Sequence, residues 1–223
     1  MTILSFDVGI VNLAYAILRV PLIAVKKGKT KKKLDTENAN DNEGKINSGL
    51  IGYALEWDII CLAEEGEKAK QIPLTKLSKR LYRYLDTIWE TYGQQLQYVL
   101  IENQPSRLNG HMKSIQMIIY SYFTYRTYHT SYLIEPLFVN ATGKLQLHTE
   151  AEKHIPDCQL EKGYKRNKTM AIYICHYYVR EDETLKHKIA THKKKDDLCD
   201  AMLQAISWYH KNYKTELRCV KSS

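Results

Sequence analysis

The sequence predicts an α/β fold: a mixed five-stranded sheet with helices on both faces. Three observations carry that expectation. Strand-like runs of apolar residues open the chain, helix-like runs with one apolar face fill its second half, and the two kinds interleave between them. A hydrophobic content of 44% over 223 residues supplies enough apolar surface for one sizeable core.

Taken in order, Thr2 to Asp7 and Val11 to Arg19 read as strands joined by a glycine-containing turn, an antiparallel hairpin. Lys26 to Gly49 is lysine-rich at its start and Asn/Asp/Glu-rich later. Without apolar periodicity it reads as a flexible polar insertion, either a solvated loop or a non-specific phosphate contact. Strand character resumes from Leu50 to Leu62, where Tyr53, Leu55, Trp57 and Ile59 alternate. From Pro73 to Gly93 the apolar residues Leu74, Leu77, Leu81, Leu85 and Ile88 mark one buried helical face. Pro73 suits its first turn and Gly93 its end.

A short strand, Gln97 to Glu102, ends on a carboxylate, and a tyrosine-rich helix is expected from Gly110 to His129. Ser131 to Val139 reads as a further strand, Asn140 to Gly163 as irregular, and Lys165–Val179 and Lys195–Asn212 as helices. The whole is expected to be a single domain, residues 1–223, with the insertion at about 26–49.

Composition narrows the function classes. No run of about 18 uncharged apolar residues exists, so a membrane span is not expected. The first strand starts almost at Met1, which leaves no room for a signal peptide or an Arg-rich presequence. Five cysteines (61, 158, 175, 199 and 219) lack CxxC spacing and read as reduced thiols of an intracellular protein. The formal charge of +8 favours a polyanionic partner, nucleic acid first and acidic membranes second.

Against that basic background, acids occupy positions that disfavour them. Asp7 ends the first strand, Glu102 ends the VLIE strand, and Asp197 and Asp200 share one face of the last helix. Each has an ordinary explanation: Asp196 and Asp197 suit a helix N-terminus, and a strand can end on an acid. Together they carry more weight. Acids gathered in a dry site repel one another and raise their own pKa values unless a cation is bound. Oxygen-only donors point to a hard ion, Mg²⁺ or Mn²⁺. Two such ions about 3.5–4 Å apart are a standard device for in-line attack on a phosphodiester.

The segments FDVGIVNLAYAIL, LIENQP and KKKDDLCDAMLQAI, in this order, resemble the three motifs of the RuvC-like Holliday junction resolvases of the RNase H superfamily. The branch most similar is that of poxviruses and other large DNA viruses, together with fungal mitochondrial members. Glu102-Asn103-Gln104 and the spacing of Asp197 and Asp200 are the most diagnostic details, and the motifs run from residue 4 to about 206. The insertion at 26–49 is longer than the family's usual hairpin connection. The DNA-binding extension of the mitochondrial members is missing from the N-terminus, which favours the viral branch.

The resemblance implies an RNase H-like nuclease domain and a Mg-dependent endodeoxyribonuclease that resolves four-way junctions by paired nicks. It assigns Asp7, Glu102, Asp197 and Asp200 as catalytic acids and as ligands of two Mg²⁺ or Mn²⁺ ions. Tyr164, Lys165, Arg166 and Lys168 match the family's basic segment that touches DNA. Gln104, Arg107, Lys113 and Lys194 join them as expected DNA contacts, near the acids in sequence. Paired nicks imply a two-fold homodimer, with Gly110 to His129 as the interface candidate. The expected setting is intracellular, in host cytoplasm or a virus factory. Two other readings stay open: an actin-like or sugar-kinase-type ATPase, whose first strand also bears Asp-x-Gly, and an inactive protein that only binds branched DNA.

Overall fold

Alternation along the first strand sets the architecture. In the computed structural model, which describes residues 1–21, 50–104, 110–145, 164–213 and 217–221, β1 (Thr2–Asp7) sends Leu4 and Phe6 to one face and Ile3 and Ser5 to the other. Both faces are covered, so every one of these four side chains is buried. The expected insertion at 26–49 lies outside the described residues.

β2 (Leu13–Arg19) returns antiparallel to β1, and β3 (Leu50–Ile60) runs antiparallel to β2. β4 (Leu96–Glu102) lies parallel to β1 on its other side, and β5 (Glu135–Val139) lies parallel to β4. These are the five expected strands. A sixth, β6 (Leu217–Lys221), adds in parallel to β3, giving the order β5-β4-β1-β2-β3-β6. Its five residues show no alternation strong enough to announce a strand, and pairing with β3 supplies what the pattern lacks.

One face is closed by α1 (Leu74–Tyr92) and α2 (Gly110–Tyr128). Leu77, Leu81, Leu85 and Ile88 of α1 pack with Ile115, Ile119 and Phe123 of α2 onto Leu4, Phe6, Val99 and Ile101. The opposite face carries α3 (Tyr164–Tyr178), α4 (Glu183–Thr191) and α5 (Lys195–Tyr213). The nine-residue α4 escapes a periodicity reading because only Leu185 and Ile189 are buried; it is started instead by Asp182, whose carboxylate accepts from the Leu185 amide.

α5 is the central helix of that face and touches β1, β2 and β3. Leu198, Ala201, Met202, Ala205 and Ile206 bury its apolar side. The Trp57 indole donates to the Leu198 carbonyl at 2.7 Å, an anchor between β3 and the acidic turn of α5. Among the described residues, no helix is long and apolar enough to cross a membrane.

Candidate active site

The parallel strands β1 and β4 end side by side, and each ends on its acid, Asp7 and Glu102. α5 crosses the same end of the sheet and brings Asp200 over them. A cleft of about 630 Å³ opens there, lined among others by Asp7, Glu102, Asp197 and Asp200. The four acids that the motifs single out, scattered over almost two hundred residues, thus share one site.

The turn leaving β1 forms the cleft's floor. Gly9 is required there for a local reason: a Cβ on it would lie 2.3 Å from the Asn12 carbonyl oxygen. The Leu62 amide donates to the Ile10 carbonyl at 2.9 Å and closes the turn from outside.

The centre of the acid cluster is a lysine. Lys144, only 4% exposed, stands on a short 3-10 turn (Ala141–Leu145) that follows β5. Its Nζ donates to Asp7 Oδ1 at 2.7 Å and lies 3.5 Å from Glu102 Oε1 and 3.6 Å from Asp200 Oδ2. A buried ammonium is tolerated because three carboxylates surround it, and their charge holds its pKa above the ordinary value despite burial. Lys144 carries no signal in the sequence because it sits alone in an irregular stretch, outside every motif. No spacing rule points to it.

The acids respond in opposite directions. Burial pushes the Glu102 carboxyl up to about 8; hydrogen bonding to Asp7 and the charges of Asp7 and Asp200 add to this, and Lys144 opposes it. Burial also raises Asp200 to about 6, with Asp7 and Asp197 adding their charge against Lys144. Asp197 is raised by burial and by Asp196 and Asp7. For Asp7 burial acts the same way, but the charge of Lys144 and hydrogen bonds from Glu102 and Lys144 outweigh it and hold the carboxyl below its usual value. The shared proton thus favours the Glu102 side of the pair, because Lys144 lies closest to Asp7.

Two glutamines complete the setting of Glu102. Gln104 turns inward: its Nε2 donates to Glu102 Oε2 at 2.8 Å and to the Val8 carbonyl at 3.3 Å. Its own amide donates to Oε1 of Gln116, a fully buried residue of α2, at 2.8 Å. Lys113 points to this same junction rather than into the cleft, 3.2 Å from Asn103 Oδ1 and from Gln116 Oε1.

The remaining expected contacts divide. Lys168 and Asn167 line the cleft wall, and Lys168 pairs with Asp196. Lys165 and Arg166 are exposed on the first turn of α3, and Lys194 is exposed just before α5, where its charge weakly opposes the rise in the Asp197 pKa. Tyr164 opens α3. Arg107 lies outside the described residues.

The donor set fits a hard divalent ion. All four acids offer oxygen donors, and Lys144 sets one ammonium against three of them. Among the described residues no three acids are placed to ligate one metal ion as they stand, and Lys144 Nζ occupies the point between Asp7, Glu102 and Asp200.

No protein-family model matches the sequence. Uncharacterized protein L451 of Acanthamoeba polyphaga mimivirus is 28% identical over 142 residues, 60% of this chain and 34% of that protein. The chain spans about a third of the length of the curated relative it matches. Among solved structures, the fowlpox virus Holliday junction resolvase superposes with a TM-score of 0.54 at 14% identity, over 95% of this chain and 99% of that one. This is the RuvC-like resolvase fold. The fowlpox enzyme bound to substrate Holliday junction DNA gives the same values, and Thermus thermophilus RuvC with a Holliday junction substrate gives 0.53 at 10% identity, over 97% and 99% of the two chains. The RNase H-like sheet expected from the motifs is therefore present, extended at its edge by β6.

Proposed function

We propose that the chain is a metal-dependent, structure-selective DNA endonuclease that resolves four-way junctions by paired nicks, leaving 5′-phosphate and 3′-hydroxyl ends. One observation carries the reading: Asp7, Glu102 and Asp200, from three separate elements, converge on one buried cation at the end of the central strands of a resolvase fold. Relatives with this fold hold Holliday junction DNA in their solved complexes, which supports branched DNA as the substrate.

Asp7, Glu102, Asp197 and Asp200 would hold two Mg²⁺ or Mn²⁺ ions, which when bound lower the pKa of water and stabilise charge on the attacking and leaving oxygens. The chain's own groups do the rest. Asp7, fixed by its strand, is the acid that Lys144 holds below its usual pKa, while Glu102, raised by burial, would give up its proton to serve as a ligand. Lys144 offers its ammonium to a phosphate oxygen entering the cluster. Lys168 and Asn167 on the wall, with Lys165 and Arg166 on the same helix, bind backbone phosphates and position the strand without reading its bases. Two active sites in a homodimer would match the two-fold symmetry of a junction. The mimivirus relative is in keeping with action on viral DNA inside a host cell.

The test is a synthetic four-way junction labelled on each strand in turn and incubated with Mg²⁺ or Mn²⁺. Symmetric nicks in opposed strands, with products that a DNA ligase reseals, are the expected result. ATP turnover without nicking would move the chain to the kinase-like class, and tight binding without nicking would make it a junction-binding protein.

A further inference from the structure

The central helix α5 carries a polar stripe along an otherwise buried surface. Asp197, Asp200, Gln204 and Ser207 follow one another at helical spacing and so share one face. The first two are the acids already described. The other two reach across the sheet face and grip the elements that carry the remaining charged groups of the site.

Gln204 is 3% exposed and sits one turn beyond Asp200. Its Nε2 donates to Ser5 Oγ and to the Phe6 carbonyl, both at 3.0 Å. Phe6 immediately precedes Asp7. Ser207 Oγ donates to the Gly143 carbonyl at 2.8 Å, and Gly143 immediately precedes Lys144. The helix thus holds the backbone beside Asp7 through one side chain and the backbone beside Lys144 through another.

Stability alone is a poor reason for an amide here. Among the described residues Gln204 Oε1 has no hydrogen-bond partner. An unpaired buried acceptor costs about 1–3 kcal/mol, which offsets the roughly 1 kcal/mol that each of the two Nε2 hydrogen bonds contributes. The hydrophobic effect, however, is non-directional. A pair of directed hydrogen bonds adds an orientation of its own.

We infer that Gln204 is a positioning residue: it ties α5 to β1 and thereby fixes Asp200 against Asp7 in the geometry that divalent-ion binding needs. This deepens the nuclease reading above and rests on it. Gln204 Nε2 donates to Ser5 and Phe6 and to neither carboxylate, so Gln204 acts through the two acids and not on the reacting atoms.

The decisive variant is Gln204→Met, with Ser5→Ala as a milder partner that removes only one acceptor. Calorimetric Mn²⁺ binding, thermal stability, junction affinity and single-turnover cleavage are measured on the full chain. Gln204→Met is expected to change Tm by only a few degrees and to leave junction Kd within about twofold, while Mn²⁺ affinity and cleavage rate each fall about 10–100-fold, the usual scale for groups that orient metal ligands. Ser5→Ala should lose less, and should add nothing in the Gln204→Met background, because both act through one contact. Wild-type Mn²⁺ affinity and cleavage rate in Gln204→Met would reduce Gln204 to a core residue and overturn the inference. Should Gln204→Met fail to fold, Ser5→Ala decides: unchanged Mn²⁺ affinity and rate overturn the tether. If the wild-type chain neither binds Mn²⁺ nor nicks a junction, the nuclease reading falls first and the tether falls with it.

Discussion

Two clefts open at opposite ends of the same strands. The one at the C-terminal ends of β1 and β4 measures about 630 Å³ and the one at their N-terminal ends about 450 Å³. Their sizes are comparable; their chemistry is not. In the second cleft the side chains serve to close the sheet: Gln97 accepts from the Thr2 amide, and the Tyr98 ring packs 4.5 Å from Trp208. Leu133 stands 90% exposed at its rim. In the first, three carboxylates surround one ammonium, and Glu102 and Asp200 are driven well above their ordinary pKa values. Volume does not select a site; charges held together at a cost do.

The contrast is broken most severely by neutralising an acid of the first cleft. Glu102→Gln and Asp200→Asn should each lower junction cleavage on the order of 10³-fold with little change in binding, read by single-turnover nicking and a gel-shift titration.

Next in size is Lys144→Met. Removing the ammonium leaves three neighbouring carboxylates without their counter-ion, a change that costs about 3 kcal/mol when a buried pair loses one partner. The metal-free protein should lose several degrees of Tm, and Mn²⁺ should restore more of it than in wild type. Cleavage should fall about tenfold even at saturating Mn²⁺.

The pH dependence follows from the same cluster. Glu102 and Asp200 titrate higher in the folded chain than when unfolded, so between about pH 4.5 and 8 the folded state binds more protons. Stability of the metal-free protein therefore falls as pH rises through that window. Asp7, shifted the other way, contributes stability that is already complete above its unfolded pKa and adds no slope there. Thermal melts from pH 5 to pH 8 should show a declining Tm in wild type and a flatter profile in Glu102→Gln.

The smallest effect belongs to the other cleft. Leu133→Ser should leave cleavage within about twofold and stability within about 0.5 kcal/mol, measured by the same nicking assay and by melting.

Much of this contrast was legible in the sequence, and the reasons are local. Asp7 and Glu102 announce themselves because each interrupts an apolar strand at its end, where period-two burial predicts the opposite. Asp200 does so because Ala201, Met202 and Ala205 define a buried face around it. The helices α1 and α5 follow from strong periodicity. Lys144 lay beyond reach because a lone lysine in an irregular segment looks like any solvated base; only β5 and the turn after it carry it back over β1. Gln104 reads in the sequence as an expected DNA contact, and only the fold shows that its amide also donates to Glu102. Gln204 and Ser207 extend the spacing of Asp197 and Asp200 along one helical face, a continuation that the acids alone had obscured.

The most direct measurement of the central claim compares wild type with Asp7→Asn on one four-way junction, with cleavage and binding followed together in Mg²⁺. Asp7 is the acid closest to Lys144 and the one whose pKa is held below its usual value, so the account predicts that its loss abolishes nicking while junction affinity is kept or slightly raised. Undiminished nicking by Asp7→Asn would contradict it, because the cleft at the end of β1 would then not be where the chemistry occurs.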